Sequence, residues 1–287
     1  MPQGLVVHPQ GTLVDRALVF LAEGPADSHT LTKRVMGIPQ APVLVADRLV
    51  AALLGADPRV GRLGDGRWML VAPASAAPAL AEVSFAVVDC ETTGGMYGNG
   101  DRITEIAVVA VKGRDVEVLF DSLVNPGRPI PPKVSAVTSI TDAMVRSLPP
   151  FEAIADDVLS VLAGRVFVAH NVGFDWRFLS QEMRRARGVV LEGPRVCTIN
   201  MARRLLSGVK SRSLDSLSYY FGIEVEQRHR AGPDALATAR LLQRLLALAQ
   251  DAGATTLREL EELIRRRGRK RRRGGKRRAR PESMGEL

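Results

Sequence analysis

A short apolar run that ends in two carboxylates is the strongest constraint in this sequence. Phe85 to Asp89 is typical of a buried strand, and the chain continues through Cys90, Glu91 and two threonines to Gly95. Side chains alternate along a strand, so Asp89 and Glu91 share a face that Cys90 does not. Two carboxylates about 7 Å apart repel each other unless a cation lies between them. The stretch therefore predicts either two solvated acids or a site for a hard divalent cation.

Two later segments place further acids at helix starts. In Ala169 to Leu179, Asp175 follows an apolar run and lies among bulky apolar side chains. A metal ion would offset the cost of burying this acid, and a favourable helix dipole is the alternative explanation. In His229 to Leu246, a proline in the first turn of a helix puts Asp234 at the helix start and His229 before it.

Composition narrows the class of protein. The chain has 287 residues and is 46% hydrophobic, as expected of a folded protein. No apolar run approaches the roughly 20 residues needed to cross a bilayer, and the sequence shows no signal-peptide pattern. We therefore expect no membrane partner. The expected location is the cytoplasm, in association with the nucleoid if the protein is bacterial. Cys90 and Cys197 have no other Cys or His at ligand spacing, which argues against zinc and fits a reducing compartment.

The chain divides into three parts by composition. Residues 1–80 contain three helix-like segments and then a hairpin signal, an order that resembles a winged-helix domain. Residues 83–250 mix strands and helices in one α/β domain whose first three strands form a predicted antiparallel meander. Residues 251–287 begin with a short helix, capped by Thr256 and Glu259, and continue as a basic tail expected to be disordered when free.

The role of the winged-helix-like part stays open at this level. Ser28 is the predicted N-cap of its second helix. The third helix, Ala41 to Gly55, would face a DNA groove, yet it offers Arg48 and little else that is basic. DNA binding, protein interaction and scaffolding are all compatible with it.

The acids and the histidine together resemble a known set of motifs. "VVDCETTG", "HNVGFD" and "HRAGPDA" match, in order, the three exonuclease motifs of the DEDDh 3′–5′ exonucleases, the DnaQ-like superfamily of the epsilon proofreading subunit of bacterial DNA polymerase III. The resemblance covers about residues 84–250. It implies a ribonuclease H-like exonuclease fold, in which a mixed five-stranded sheet is flanked by helices.

The resemblance also implies the chemistry. Two divalent metal ions, Mg²⁺ or Mn²⁺, would share Asp89, with Glu91 and Asp234 on the first and Asp175 holding the second through water. Two such ions stabilise the attacking and the leaving oxygen of an in-line phosphodiester displacement. His229 would take the proton from the attacking water. The implied product is a nucleoside 5′-monophosphate released from a 3′ end.

Contacts to the terminal nucleotide follow from the same motifs. The implied substrate-binding residues are Thr92, Thr93, Gly94, Val137, Thr138, Asn171, Phe174 and His229. Core packing is the alternative role for Phe174. The sequence departs from the family where Thr138 and Ser139 replace a usual His-Gly pair, and where Gly232-Pro233 replaces a common Leu-acid pair.

Three functions are compatible with these residues. The leading hypothesis is a metal-dependent 3′–5′ exonuclease on single-stranded DNA ends, in proofreading or repair, with a DNA polymerase or another replication or repair protein as partner. An RNA-trimming exonuclease is the alternative, because the motifs bind metal and phosphate rather than deoxyribose. A nucleic-acid-binding regulator with an inactive nuclease fold is the alternative of another class, against which the complete five-residue set argues.

The basic tail generates a prediction about nucleic-acid binding. Residues 265–287 contain 12 Lys or Arg and 2 Glu, a net +10 that leaves −1 for the rest of the chain, whose total is +9. Phosphate contacts by these cations would release counterions, so we expect removal of residues 265–287 to weaken DNA binding and flatten its salt dependence. Fluorescence anisotropy over a series of salt concentrations measures both effects, and turnover of a single-nucleotide substrate should persist. An unchanged salt slope would identify the tail as a solubilising extension.

Overall fold

The computed structural model describes residues 6–9, 12–57, 59–71 and 78–265. The predicted disordered tail therefore lies almost entirely outside the described residues. Within them, no helix combines the length and the apolar character needed to cross a membrane.

Nine strands and eleven α-helices make up the described chain, with one 3₁₀ turn at Tyr97–Asn99. In chain order they are β1 (Val6–Pro9), α1 (Leu13–Leu21), α2 (Ser28–Arg34), α3 (Val43–Leu54), β2 (Val60–Arg62), β3 (Trp68–Leu70), β4 (Phe85–Thr92), β5 (Ile103–Lys112), β6 (Asp115–Leu123), α4 (Pro132–Thr138), α5 (Asp142–Val145), α6 (Phe151–Leu162), β7 (Val166–Ala169), α7 (Val172–Arg187), β8 (Val189–Glu192), β9 (Arg195–Cys197), α8 (Thr198–Leu205), α9 (Leu214–Phe221), α10 (Ala231–Asp251) and α11 (Leu257–Arg265).

Three helices and the β2–β3 hairpin form the N-terminal part around a small apolar core. The N-cap of α2 is Asp27, whose carboxylate accepts a hydrogen bond from Thr30 N at 2.7 Å. The prediction of Ser28 as the cap was wrong, because its hydroxyl is used in tertiary contacts. It donates to Asp47 on α3 and accepts from Trp68 Nε1 on β3.

A mixed five-stranded sheet in the order β6-β5-β4-β7-β9 is the centre of the fold. β4, β5 and β6 run antiparallel to one another, as the meander predicted, while β7 and β9 join β4 in parallel. The predicted α/β class, with a mixed five-stranded sheet flanked by helices, is confirmed. β4 is its middle strand.

Alternation along β4 separates two apolar cores. Phe85 and Val87 face a core that includes the leucines of α10, and Val88 and Cys90 face a core that includes Phe178 of α7. Asp89 therefore continues the α10 face of the strand beyond its last apolar residue. Because β4 and β7 are parallel, the chain also leaves β7 at this edge of the sheet and enters α7 there.

The short helix α11 packs on the same core. The capping box is present as predicted, since Glu259 N donates to Thr256 Oγ1 at 3.3 Å and Thr256 N donates to Glu259 Oε2 at 3.0 Å. Leu260 is buried in the α10 core together with Leu80. The core of the α/β domain thus includes residues both before and after the predicted range 83–250.

A buried ion pair joins the sheet to α7. Arg102, just before β5, is 7% exposed, and Glu182 on α7 is 1% exposed. Arg102 Nε donates to Glu182 Oε1 at 2.6 Å, and its Nη2 donates to Oε2 at 2.9 Å. Ile103 N also donates to this carboxylate, at 3.3 Å. The two buried charges are therefore paired and hydrogen-bonded, as their burial requires.

Removing one partner of this pair should destabilise the fold. We expect Glu182→Ala to lower the free energy of unfolding by about 3 kcal/mol, at the low end for a buried pair because Glu152 still contacts Arg102. Urea denaturation measures the change. The control is Arg187→Ala, which breaks the exposed and solvent-screened pair with Asp156 and should lower the free energy of unfolding much less. Equal losses in the two variants would contradict this.

Candidate active site

Asp89 and Glu91, the first two acids of the site, lie at the end of β4. Asp89 pairs with Ala107 in the sheet register and Glu91 pairs with Glu105, and the register then shifts at Thr92. A third acid, Glu105, therefore lies directly beside Glu91. Its charge is compensated by Arg230, so it is not free to join the cluster.

Asp175 arrives from the start of α7. It lies in the first turn of that helix and is buried. Its Oδ1 accepts a hydrogen bond from Cys90 N at 3.1 Å. The carboxylate is thus fixed to the backbone of β4 at the residue between Asp89 and Glu91.

Asp234 and His229 arrive from the start of α10. Asp234 is buried in the first turn, and its Oδ2 accepts a hydrogen bond from His229 N at 3.1 Å. One ligand atom from each of Glu91, His229 and Asp234 lies within 4.8 Å of the others. All five residues predicted from the sequence therefore meet at one edge of the sheet, and we call this group the acidic cluster.

Burial raises the pKa values of all four acids, and repulsion from neighbouring acids adds to this for Asp89 and Glu91. Burial raises the pKa of Asp89 well above its usual range, and the charges of Asp175, Glu91 and Asp234 add to it. Burial, followed by the charge of Asp234, raises the pKa of Glu91 to about 7. Burial also raises the pKa of Asp175 to about 7 and that of Asp234 above its usual value. The cluster therefore binds either protons or a cation at neutral pH.

The donor atoms of the cluster fit a hard divalent cation. Glu91 and Asp234 supply carboxylate oxygens, which Mg²⁺ and Mn²⁺ prefer, and His229 supplies an imidazole nitrogen in the same group. Asp89 and Asp175 lie beside this group and add two further carboxylates. A bound dication would replace the repulsion among these acids with attraction.

Arg230 fixes the start of α10 against the sheet. Its Nε donates to both carboxylate oxygens of Glu105 at 3.0 Å, and Ala231 N donates to Glu105 Oε2 at 2.8 Å. The next residue, Gly232, lies against Asp121 on β6, where any Cβ would collide with the carboxylate. A side chain at position 232 would therefore require the exposed Asp121 carboxylate to move.

Arg228 is a member of the site that the sequence analysis missed. Its Nη1 donates to Asp234 and its Nε to Asp215 on α9. It offsets part of the negative charge of Asp89, Glu91 and Asp234. Its position next to His229 was the signal available in the sequence, but its partners are distant along the chain.

His229 is held in an unusual backbone conformation. Its φ of 59° is in the left-handed region, which costs of order 1–3 kcal/mol in a residue with a side chain. The bond from His229 N to Asp234 and the anchored Arg230 on the other side maintain it. The side chain is exposed at the rim of the acidic cluster.

The residues predicted to contact substrate in the turn after β4 make hydrogen bonds within that turn. Thr92 and Thr93 are buried, and their hydroxyls donate to Gly94 O at 2.6 Å and to Asp101 Oδ1 at 3.2 Å. A Cβ on Gly94 would collide with Asp101, and Met96 N donates to the same carboxylate. Asp101, which the sequence analysis also missed, therefore shapes this turn.

The remaining predicted substrate contacts differ in how accessible they are. Val137 and Asn171 are exposed, and Phe174 is half-buried with its ring centroid 4.9 Å from that of Phe178. Thr138 is buried, and its hydroxyl donates to a backbone carbonyl one turn earlier in α4. The exposed residues stay predictions for substrate binding, while the Thr138 hydroxyl is engaged within the protein.

The raised pKa of Asp175 predicts how stability depends on pH without metal. The folded state binds this proton more tightly than the unfolded chain, so stability is complete below the unfolded pKa and falls as pH rises through about 7. At about pH 8 in a chelator, Asp175→Asn should raise the free energy of unfolding by about 2 kcal/mol, with little effect near pH 4. Thermal unfolding at both pH values measures this. Asp157→Asn, at an exposed acid of α6, is the control, and a destabilised Asp175→Asn protein at about pH 8 would refute the electrostatic argument.

Comparison with known proteins places this site in a family. The family model described as "Exonuclease" (RNase_T) matches residues 86–242. The DNA polymerase III subunit epsilon of Aquifex aeolicus is 32% identical over 167 residues, which cover 58% of this chain and 82% of that protein. The DNA polymerase III subunit epsilon-like protein of Rhodobacter capsulatus is 38% identical over 194 residues, 66% of this chain and 27% of that one.

Other relatives match over only part of their length. The 3′-5′ exonuclease DinG of Bacillus subtilis is 32% identical over 179 residues, 62% of this chain, but the match spans only 19% of that protein. Among solved structures, exonuclease X in complex with 5′ overhanging duplex DNA has a TM-score of 0.50 and 30% identity, and the match covers 63% of this chain and 99% of that one. The resemblance drawn from the three motifs is confirmed. Residues 86–242 form an exonuclease domain, and the chain belongs to the RNase_T exonuclease family.

Proposed function

We propose that this protein is a metal-dependent 3′–5′ exonuclease that removes nucleoside 5′-monophosphates from the 3′ ends of single-stranded DNA, in proofreading or repair. The convergence of the acidic cluster at one edge of the sheet carries the proposal. Asp89, Glu91, Asp175, Asp234 and His229 come from three elements that are far apart in sequence, and a metal-dependent nuclease needs this donor set in one place.

The four acids would hold two divalent metal ions, Mg²⁺ or Mn²⁺. Proteins of this exonuclease family generally use divalent metal ions, and the oxygen-rich donor set fits them. When bound, such ions activate water and neutralise charge on the phosphodiester in the transition state.

His229 is positioned to act as the general base. Its side chain is exposed beside the cluster, and its backbone is fixed on both sides by the bonds of Asp234 and Arg230. A base must reach the proton that it removes, and this placement brings the imidazole to the edge where water and the 3′ nucleotide meet the acids.

The proposal also includes a substrate class and interaction partners. The match to the epsilon subunit, and the duplex DNA in the exonuclease X structure, support DNA ends as the substrate and a DNA polymerase or another replication or repair protein as the partner. Residues 1–80 would serve as a winged-helix-like accessory domain and residues 251–287 as a tail that holds nucleic acid electrostatically. An RNA 3′ end would meet the same acids, so RNA is the alternative substrate.

Substitution of the cluster tests the proposal. Asp89→Asn and His229→Gln should each slow degradation of a 3′-labelled single strand by about 100-fold or more with Mg²⁺ or Mn²⁺, because each removes a group needed in the transition state. Asp157→Asn and His29→Gln, at an exposed acid and a histidine of α2, are the matched controls. A cluster variant that degrades the strand at the parent rate would contradict the assignment.

A substrate comparison separates the alternatives. Matched DNA and RNA oligonucleotides are digested side by side, and the product is identified chromatographically as a nucleoside 5′-monophosphate. If RNA were digested faster than DNA, RNA would be the preferred substrate, and the assignment as a nuclease would still hold. Binding without hydrolysis of either polymer would favour a regulator with an inactive nuclease fold.

A further inference from the structure

Helix α9 lies beside the acidic cluster. Asp215 in its first turn accepts a hydrogen bond from Arg228 Nε, and Arg228 Nη1 donates to Asp234 of the cluster. One arginine side chain thus bridges α9 to the start of α10. The outer face of α9 continues from this bridge away from the acids.

Tyr219 is the most exposed large side chain on that face. It follows Asp215 by four residues, and therefore lies on the same side of α9, about 6 Å further along the helix axis. It is 91% exposed, and within the described ranges its ring contacts no other ring or cation. An almost fully exposed aromatic ring is unusual, because burying a tyrosine ring is favourable.

The neighbouring Tyr220 behaves differently. It is 57% exposed, and its ring meets that of Phe221 edge-on, with centroids 4.9 Å apart. Tyr220 therefore already has an aromatic partner, while the flat faces of Tyr219 are available to a ligand. The two residues form a matched pair for experiment.

Two cations precede α9 on the loop that joins it to α8. Neither Lys210 nor Arg212 forms an ion pair with an acid in the described part of the chain. Lys210 is exposed, and the half-buried Arg212 donates from Nη1 to Lys210 O at 3.3 Å. Arg212 O accepts a hydrogen bond from a ring nitrogen of His170 at 2.9 Å, which ties the loop to the segment that leads into α7. The loop that carries the two cations is thus held next to the segment that leads into α7, the helix of Asp175.

We propose that Tyr219 is a stacking platform for a base of a single-stranded nucleic acid whose 3′ end lies at the acidic cluster, with Lys210 and Arg212 contacting its phosphates. The proposal rests on the proposed exonuclease function. Only the terminal nucleotide reaches the acids, so the rest of the strand must cross a neighbouring surface, and α9 borders the site. Grooves for single strands combine cations with aromatic rings, because phosphates need charge and every base has a face to stack. A protein partner would leave the adjacent cations without a role.

Binding measurements test the platform directly. Affinity for a nuclease-resistant phosphorothioate dodecanucleotide is measured by fluorescence anisotropy on the full chain. Tyr219→Ala should weaken binding about tenfold, whereas Tyr219→Phe should bind as the parent does, since the ring rather than the hydroxyl makes the stack. Tyr220→Ala is the control and should change affinity less than twofold. Parent-like binding by Tyr219→Ala, or an equal loss in Tyr219→Phe, would overturn the proposal.

A length comparison distinguishes the platform from the catalytic site. Tyr219→Ala should raise KM for the unmodified dodecanucleotide but leave hydrolysis of a thymidine 5′-phosphate aryl ester unchanged, because a single nucleotide does not reach α9. Equal loss on both substrates would show a disturbed active site and overturn the platform. Photocrosslinking with a strand that contains 5-iodouracil should label the peptide that carries Tyr219. If the parent hydrolysed neither substrate, the exonuclease function would fail, while anisotropy and crosslinking would still report on the platform.

Discussion

Four buried or half-buried carboxylates that meet beside the end of β4 are the constraint on which the rest of this structure depends. Asp89 and Glu91 are fixed by β4, and Asp175 and Asp234 are added from two helix starts. Burial makes the charged form of each acid costly, and repulsion from neighbouring acids increases that cost for Asp89 and Glu91. If these acids served only a structural role, replacing any one of them with a neutral residue would stabilise the folded protein. The arrangement is therefore explained by a ligand that carries positive charge.

Neighbouring residues reduce the electrostatic repulsion among these acids but do not neutralise it. Arg230 neutralises Glu105, which would otherwise be a fifth charge beside Glu91. Arg228 and the N-terminal turns of α7 and α10 supply partial positive charge close to the acids. The backbone N–H groups of Cys90 and His229 bind single carboxylate oxygens and so fix their direction. At Asp234 both carboxylate oxygens accept hydrogen bonds, Oδ1 from Arg228 Nη1 and Oδ2 from His229 N.

The same contacts connect the site to its surroundings. Arg228 links Asp234 to α9, whose outer face carries Tyr219, and Asp101 shapes the turn that follows Glu91. The surfaces on which a nucleic acid strand would lie are thus attached to the elements that hold the acids. Arg228 and Asp101 are the polar side chains through which these surfaces contact the elements that carry the acids.

The sequence by itself determined the class of the fold and the five residues of the cluster, because both follow from local patterns. Strand alternation gave the direction of Asp89 and Glu91, helix starts gave Asp175 and Asp234, and their order matched a family. It could not identify the roles of Arg228, Glu105 or Asp101, because their partners lie elsewhere in the chain, and it wrongly assigned the cap of α2 to Ser28. Only the tertiary structure decided which charges are compensated, which hydroxyls are engaged internally, and that Tyr219 is left exposed beside the site. These outcomes depend on distances between elements, and a linear pattern of residue types contains no such distances.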